Sequence, residues 1–346
     1  MKHIGIIGGG GISETHARAA SEIDDVELVA FSGRNQEKVS RLASQFGGRA
    51  YEDFNSFLKH KPMDLVIIGS PSSLHGEQGI AAARSGLHVL TEKPIDITTK
   101  RADELIDECQ RAGVKLGLCY QDRFAPDLVR LKTLIDGGEL GKPVMASGYV
   151  KWYRPPSYYA DSDWRGTSTL DGGGALINQG IHTVDLLLWL MGDVKSVYAR
   201  ASTALHKIPV EDTVVATLEF ANGALGTIES TTSVFPGYDR RVEISGEQGT
   251  VIVERNRITR ADLQSSGSEK LVSSAADTNV SSSSPIISDV SGHRRLIEDF
   301  LEAIVSDRPP RCDGREGRRS LALVEAIYKS ARTDHPIKVE REGSRN

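Results

Sequence analysis

The stretch Ile-Gly-Ile-Ile-Gly-Gly-Gly-Gly-Ile-Ser, residues 4–13, decides the fold of the first part of this chain. A short apolar run passes directly into glycines and then into a helical pattern that continues to Glu22. The glycines fit Gly-x-Gly-x-x-[Gly/Ala/Ser], in which small residues make a tight turn, let the backbone approach a pyrophosphate, and allow close packing of helix on strand. The stretch therefore predicts a dinucleotide-binding turn at the N-terminus of a helix. The residues expected to contact the cofactor here are Gly8, Gly10, Gly11, Ile12 and Ser13.

Alternating strand and helix patterns continue outward from this stretch to about residue 120. Short runs rich in β-branched residues, such as Leu65–Ile68, alternate with helical stretches such as Thr99–Ala112. Strands buried on both faces and separated by helices indicate a parallel sheet with crossover helices. We therefore assign residues 1–122 to an NAD(P)-binding Rossmann domain.

The pattern changes after Pro126 to that of an antiparallel sheet. Two alternating runs flank Asn222-Gly223, which is a strong hairpin signal, and a second pair of runs flanks the Gly-Glu-Gln-Gly turn at 246–249. We assign residues 123–346 to an α+β domain that binds substrate and contains a large, open, mostly antiparallel sheet. The predicted helices do not cover both faces of this sheet, and an uncovered apolar face favours a homodimer or homotetramer.

Two further features complete this second half. Residues 265–284 are rich in Ser, Ala, Asp and Asn and have no core-forming pattern. This composition predicts a long surface loop or an irregular edge of the sheet. Helices are expected near Arg294–Ile304 and Gly317–Ala331.

Composition excludes several classes of function. A length of 346 residues suggests about two domains, and the net charge of −5 argues against a protein that coats nucleic acid. No apolar run approaches the roughly 18 residues needed to cross a bilayer, so no membrane partner is expected. The three cysteines are odd in number and lack Cys-x-x-Cys spacing, which favours a reducing, cytoplasmic compartment and no metal site.

The end of the second strand bears on the choice of cofactor. The sequence there reads Phe31-Ser32-Gly33-Arg34, without the carboxylate that would bind the ribose 2′-hydroxyl of NAD. Ser32 and Arg34 could both contact a 2′-phosphate. The cofactor is therefore expected to be NAD or NADP, with a slight lean to NADP.

Polar side chains also follow the next two strands, on the carboxyl edge where ligands bind in open α/β sheets. The first group lies in the segment 70–75, and the second is Glu92-Lys93-Pro94. A lysine before proline is held in a defined geometry and could point at the nicotinamide crevice. The residues expected at the cofactor from these segments are Ser70, Pro71, His75, Glu92 and Lys93.

The segment from Ala175 to Leu190 is mostly apolar and long enough for a helix. Asn178, His182 and Asp185 follow each other at i, i+4 and i+7, so they are expected to share one face. Three polar groups on an otherwise buried helix are costly unless they are satisfied or used. We therefore interpret this face as functional, with His182 its central residue.

At this point the residues resemble a known family, the Gfo/Idh/MocA oxidoreductases. The resemblance rests on the glycine loop, on Glu92-Lys93-Pro94, on the segment 180–185 that reads Gly-x-His-x-x-Asp, and on residues 313–317. It implies a Rossmann domain, a second α/β domain whose open sheet forms dimers or tetramers, and hydride exchange between a nicotinamide and a sugar-like alcohol. It also implies that Lys93 and His182 are catalytic.

One departure from the family concerns Asn178, where many members carry Asp. An amide cannot take a proton, so acid–base work is expected to fall on His182 and Lys93. The stretches 158–167 and 171–182 look most like the branch that includes UDP-N-acetylhexosamine (uronate) 3-dehydrogenases, although other sugar dehydrogenases share much of them.

The chemistry follows from these residues. A histidine near its ordinary pKa suits proton removal from a secondary hydroxyl, and a lysine ammonium stabilises the developing alkoxide. Because both residues come from different domains, we expect the active site between them. The residues expected to bind the carbohydrate substrate are Trp164, Arg165, Asn178, Asp185 and Tyr120, with Arg123 and Tyr153 as weaker candidates.

Two alternatives remain open. The chain could instead be an NAD(P)-dependent glycosidase or lyase, as some relatives are. It would oxidise a sugar hydroxyl transiently, cleave the glycosidic bond by elimination, and return the hydride to the sugar. The chain could also bind a dinucleotide without turnover, but the presence of both Lys93 and His182 speaks against this.

Overall fold

The computed structural model describes residues 1–265, 271–273 and 289–340. The chain groups into two compact units. The first comprises Met1–Gln121 with the described residues of Ile286–Arg318, and the second comprises the described residues of Asp122–Pro285 and Arg319–Asn346. From the sequence we assigned all residues after 122 to the second domain. In the structure, the described residues of Ile286–Arg318 group with the first unit instead. Most of residues 265–284, predicted to form a surface loop, lie outside the described residues.

The first unit contains a six-stranded parallel sheet in the order β3-β2-β1-β4-β5-β6, which confirms the predicted Rossmann architecture. Its central strands are apolar and buried because helices cover both faces of such a sheet. The strands are β1 (Lys2–Ile7), β2 (Val26–Ser32), β3 (Arg49–Tyr51), β4 (Leu65–Ile68), β5 (His88–Thr91) and β6 (Leu116–Leu118). Strand β3 was not predicted, because its three residues Arg-Ala-Tyr form no apolar run.

The helices of the first unit begin and end at recognisable signals. The Asn35 side chain caps one helix by accepting from the Lys38 amide, and Gly113 ends another in the left-handed conformation at φ 67°. The helices are α1 (Gly11–Ser21), α2 (Gln36–Phe46), α3 (Phe54–Leu58), α4 (His75–Arg84), α5 (Thr99–Ala112) and, far along the chain, α9 (Ser291–Val305).

Helix α9 packs tightly on the first sheet. A methyl group on Gly117 of β6 would lie 2.7 Å from the Phe300 ring, so only glycine lets α9 come this close. The chain after α9 also pairs with β6, since the Leu118 amide donates to the Cys312 carbonyl at 2.8 Å. Residues near 300 are therefore part of the core of the first unit.

The second unit contains an eight-stranded sheet in the order β13-β12-β11-β7-β10-β9-β8-β14, in which β7 and β10 pair in parallel and the other neighbours are antiparallel. Both predicted hairpins are present, as β9–β10 and β11–β12. The strands are β7 (Pro143–Lys151), β8 (Val194–Ser202), β9 (Thr213–Phe220), β10 (Leu225–Thr231), β11 (Arg241–Gly246), β12 (Gly249–Glu254), β13 (Arg257–Leu263) and β14 (Ile337–Lys338).

Helices cover one face of this sheet. A methyl group on Gly148 of β7 would lie 2.4 Å from the Thr183 side chain, so the helix that carries His182 lies directly against the strand. The helices are α6 (Pro126–Asp136), α7 (Ser157–Ala160), α8 (Ile181–Met191) and α10 (Gly314–Thr333), whose first residues group with the first unit. In the described ranges, no helix is both long and apolar enough to cross a membrane.

The other side of the sheet exposes apolar side chains. Strand β9 alternates buried Val214, Ala216 and Leu218 with exposed positions, which include Val215 at 49% exposure. Met145 of β7 and Leu225 of β10 are similarly exposed. Within the part of the chain that the structure describes, this side of the sheet is exposed at these positions, as the sequence predicted.

Candidate active site

The glycine loop has the geometry of a phosphate-binding turn. Gly8 adopts φ 126°, and a methyl group there would lie 2.4 Å from the Ser13 hydroxyl and 2.7 Å from the Gly69 carbonyl, so only glycine fits. Around Gly10 and Gly11, by contrast, the space for a side chain is open, and both residues are exposed at the start of α1. The Gly10 N-cap position makes no side-chain capping hydrogen bond, so helix amides face this open space. The loop therefore fits a pyrophosphate, with the positive end of the α1 dipole beside it.

The end of β2 lies against this loop. The Ser32 carbonyl accepts from the Gly8 amide at 2.7 Å, but the Ser32 side chain is buried. A methyl group on Gly33 would lie 3.2 Å from both Gly8 and the Val39 side chain, so this position has little room for a carboxylate. Arg34 is exposed, which leaves it as the candidate for contact with a 2′-phosphate.

His75 joins the loops that follow β4 and β5. Its two ring nitrogens lie 3.0 Å from the Ser70 carbonyl and 2.7 Å from the Pro94 carbonyl, and the ring is buried. Burial lowers the pKa of His75, although both carbonyl contacts act to raise it. The Ser70 hydroxyl donates to Gln78 at 2.6 Å. In the structure, His75 and Ser70 thus fix the loops beside Pro71 and Lys93.

Lys93 stands on a buried support. Glu92 Oε1 lies 2.7 Å from His16 Nε2, and Glu92 Oε2 accepts from the Lys93 amide at 3.1 Å. Burial alone would raise the pKa of Glu92, but the hydrogen bond and charge of His16, with the charge of Lys93, lower it to about 2. Glu92 is therefore ionised, and its carboxylate is held by His16 and the Lys93 amide. Lys93 itself is half-buried beside it. Nothing in the sequence linked His16 to this loop.

In the second unit, the helix expected from Ala175 to Leu190 is not uniform. Residues Leu176–Gly180 form a π-helical turn, and α8 begins only at Ile181. The i, i+4 relation assumes α-helical pitch, so the common face expected for Asn178 and His182 is interrupted between them. The Asn178 amide group donates instead to both oxygens of Asp171, at 2.7 and 3.0 Å.

A half-buried glutamate holds the start of this segment. Glu211 accepts from the amides of Gly174 and Leu176, both at 3.0 Å, and from the Tyr328 hydroxyl at 2.8 Å. A methyl group on Gly174 would lie 1.7 Å from the Glu211 carbonyl, which accounts for the glycine. Burial raises the pKa of Glu211 to about 7, against the three hydrogen bonds, which lower it.

His182 lies beside a carboxylate that sequence reasoning missed. Its Nδ1 is 3.3 Å from Oδ2 of Asp122, which lies in a short 3-10 turn at 121–124. Burial would raise the pKa of Asp122, but the charges of Arg240 and His182 keep it well below its usual range. Asp122 belongs to no motif in the sequence, and only the fold brings it to His182.

Two predicted substrate residues have other surroundings. Asp185 is buried, and Arg123 donates to both of its oxygens, at 2.8 and 2.6 Å. Tyr120, in the first unit, is fully buried at the end of an apolar run. The structure thus places both in cores, and their contact with substrate stays a prediction.

An aromatic and cationic cluster forms around Tyr158. The guanidinium of Arg165 lies 4.5 Å from the Tyr158 ring centre and 5.4 Å from that of Trp164. Arg154 lies 5.4 Å from the same tyrosine ring, and burial lowers its pKa. The Tyr158 hydroxyl accepts from Gln179 at 3.0 Å, which links the cluster to the π-helical turn. Two positive charges and flat apolar rings therefore lie together, where the sequence placed only Trp164 and Arg165.

Comparison with known proteins agrees with this geometry. Residues 2–120 match the family model described as "Oxidoreductase family, NAD-binding Rossmann fold", and residues 128–252 match the "GFO/IDH/MocA C-terminal domain". The WlbA dehydrogenase from Bordetella pertussis, solved with NADH and UDP-GlcNAcA, is 32% identical, with a TM-score of 0.89 over 99% of this chain and 98% of that one.

Two curated relatives are more distant in sequence. Myo-inositol 2-dehydrogenase of Thermotoga maritima is 28% identical over 97% of this chain and 98% of its own length. D-glucoside 3-dehydrogenase of Escherichia coli is 26% identical over 95% of each.

The fold and the glycine loop define a nicotinamide-dependent oxidoreductase. The chain belongs to the Gfo/Idh/MocA family, as its sequence motifs predicted. It is an enzyme of the sugar dehydrogenase and reductase type, with NAD or NADP as cofactor.

Proposed function

We propose that this enzyme transfers a hydride between the nicotinamide and a secondary hydroxyl of a sugar derivative, with His182 and Lys93 as the acid–base pair. The observation that supports this most directly is the half-buried His182 ring beside the ionised Asp122. Such a pair has the form of a general base and its orienting carboxylate. The supported backbone of Lys93 is the matching feature of the first unit.

In the oxidative direction, His182 accepts the hydroxyl proton while the carbon loses its hydride. The Lys93 ammonium stabilises the negative charge that develops on the oxygen, and the product is a ketone. A bound nicotinamide supplies the hydride acceptor. In reverse, protonated His182 returns the proton to the carbonyl oxygen, so the same two side chains serve both directions.

We further propose that the substrate is a sugar that carries a negative charge. Arg154 and Arg165 flank Tyr158, and a carboxylate or phosphate would offset their mutual repulsion. The WlbA dehydrogenase, 32% identical, was solved with UDP-GlcNAcA, which carries both kinds of anion. Trp164 would offer an apolar face to a sugar ring.

The test is reduced-nicotinamide absorbance, with NAD and with NADP, on a substrate panel. UDP-GlcNAcA is compared with UDP-GlcNAc, which has the same nucleotide but no carboxylate, and with myo-inositol and a neutral glucoside. We expect the highest kcat/KM for UDP-GlcNAcA, and an increase in KM in Arg165→Ala that the exposed control Arg200→Ala does not show. Turnover of the neutral sugars alone would refute the anionic substrate. Bond cleavage without net cofactor change would replace the dehydrogenase by a lyase.

A further inference from the structure

Asp122 and His182 meet within the second unit at a distance that lets one carboxylate orient the ring. His182 Nδ1 lies 3.3 Å from Asp122 Oδ2, and both side chains are largely buried, with exposures of 13% and 9%. At that depth, a charge on either group is screened little by water. The pair is therefore electrostatically coupled.

The position of the carboxylate does not depend on His182. Arg240 donates to Oδ2 at 2.6 Å, and Asn256 donates to Oδ1 at 2.7 Å. Asn256 lies in the tight turn between β12 and β13, with φ 63°, and its side-chain oxygen accepts from Arg240. Arg240 and Asn256, from two different segments of the second unit, thus fix Asp122 before any substrate binds.

Asn178 cannot supply a negative charge that orients the His182 ring. It is neutral, and its amide group is already engaged by Asp171. The carboxylate beside His182 comes instead from the turn at 121–124, on the Nδ1 side of the ring.

We propose that Asp122 is the positioning residue of His182, holding the proton on Nδ1 so that Nε2 is the atom that exchanges a proton with substrate. This rests on the proposed role of His182 as base. The ring of a neutral histidine has one N–H, and the hydrogen bond made by one nitrogen sets the tautomer of the other.

The sign of the effect can be worked out from the charges that face the ring. The Asp122 carboxylate stabilises the imidazolium, and Arg240, which pairs with that carboxylate, opposes it from farther away. Asp122→Asn removes the negative charge and leaves Arg240, so the imidazolium loses stability. An opposite charge at this range is worth about 1–3 pH units. The acidic limb of the pH profile for sugar oxidation should therefore move to lower pH by about that amount.

The experiment measures kcat/KM against pH, for oxidation of the best substrate of the panel above, in the parent enzyme, Asp122→Asn and Asp136→Asn. Asp136 is an exposed carboxylate of the same unit, so its change should leave the profile unmoved. We expect Asp122→Asn to shift the acidic limb downward and lower the plateau of kcat at least about tenfold, since general base catalysis contributes about 10²–10⁴-fold. KM should change less than kcat.

The outcomes separate this inference from the proposed function. An unshifted limb in folded, active Asp122→Asn overturns the positioning role, while loss of activity in His182→Ala still supports His182 as base. A His182→Ala enzyme with normal turnover would overturn the proposed function itself. If Asp122→Asn does not fold, ¹⁵N shifts of His182 in the native enzyme decide the matter: an Nδ1–H tautomer supports the inference, and an Nε2–H tautomer refutes it.

Discussion

Glu92 and His16 form a buried pair in the first unit, with Oε1 and Nε2 separated by 2.7 Å. The second oxygen of the same carboxylate accepts from the Lys93 amide. A residue of the first helix thus fixes, through one side chain, the backbone of a predicted catalytic lysine more than seventy positions away. The glycine loop and the lysine loop are therefore tied to the same helix.

Removing His16 should leave the buried Glu92 carboxylate without its 2.7 Å partner, with the Lys93 amide still donating to it. We expect His16→Leu to lower the free energy of unfolding by about 3–5 kcal/mol, the usual cost of breaking such a pair. Urea denaturation checks this, with His335→Leu, at an exposed site, as the control that should change stability by less than about 0.5 kcal/mol. A His16→Leu protein as stable as its parent would contradict the coupling.

The proposed catalytic pair, His182 and Lys93, should act as a unit. His182→Ala and Lys93→Ala are each expected to lower kcat by about 10²–10⁴-fold while cofactor affinity changes little. The double variant should be hardly worse than the worse single variant, because groups that act together are not additive. Steady-state kinetics and calorimetric cofactor binding measure both quantities. Costs that multiply in the double variant would indicate independent roles.

Cofactor choice should depend on Arg34. Gly33 has little space for a carboxylate, and Arg34 is exposed at the end of β2, so we expect NADP to bind at least comparably to NAD. Arg34→Ala should weaken NADP selectively, whereas Arg111→Ala, a control on the surface of α5, should not. Calorimetry with both cofactors provides the test. A preference for NAD of more than about tenfold, or roughly 1.4 kcal/mol, would be evidence against it.

The uncovered sheet face should be an association surface. Met145 and Leu225 are paired in register and expose apolar side chains, and Val215 is exposed farther along the same face. Exposed apolar side chains on a sheet face favour an interface. We expect a homodimer or homotetramer in sedimentation at micromolar concentration, and a smaller species for Val215→Glu. Val305→Glu changes a more exposed valine, at 73% exposure, at the end of α9 and should not alter assembly. A monomeric parent protein would rule this interface out.

Glu211 should make stability depend on pH between about 4.5 and 7. Its pKa is raised from 4.5 to about 7, so the folded state binds more protons than the unfolded state in this range. The contribution is fully present below about pH 4.5 and is lost as the pH rises through 7, with a size of about 3 kcal/mol. Urea midpoints at pH 5 and pH 8 should therefore differ more for the parent than for Glu211→Gln.

The control for Glu211 is Glu219→Gln, because the Glu219 side chain is 42% exposed and its pKa is lowered rather than raised. Its change should leave the pH dependence between 5 and 8 intact. Parallel curves for the parent and Glu211→Gln would show that Glu211 is ionised in the folded protein across this range.

Local patterns predicted the elements that have local causes. The apolar runs of β1, β4 and β5, the glycines before α1, and the Asn222-Gly223 turn each act through neighbouring residues. Strand β3 was not predicted because it has no apolar run. The π-helical turn at Leu176–Gly180 was not predicted because it has the composition of an ordinary helix.

The residues of the candidate site follow the same division between local sequence patterns and long-range contacts. Lys93 and His182 carry motifs, whereas Asp122, His16 and Glu211 matter only through partners far along the chain. No periodicity encodes such pairings. The roles of these three residues are therefore visible only in the structure.

The position of α9 has a consequence for synthesis. The first unit is completed by Ser291–Val305, whose Phe300 lies against Gly117 and fills the space beside β6. On the ribosome, strands β1 to β6 emerge long before this helix, so the nucleotide-binding core lacks it until residue 305 has been translated. N-terminal domains usually fold first during translation. Here strands β1 to β6 must wait for Ser291–Val305, so a nascent chain arrested before residue 291 would hold an unfinished core with an exposed apolar groove.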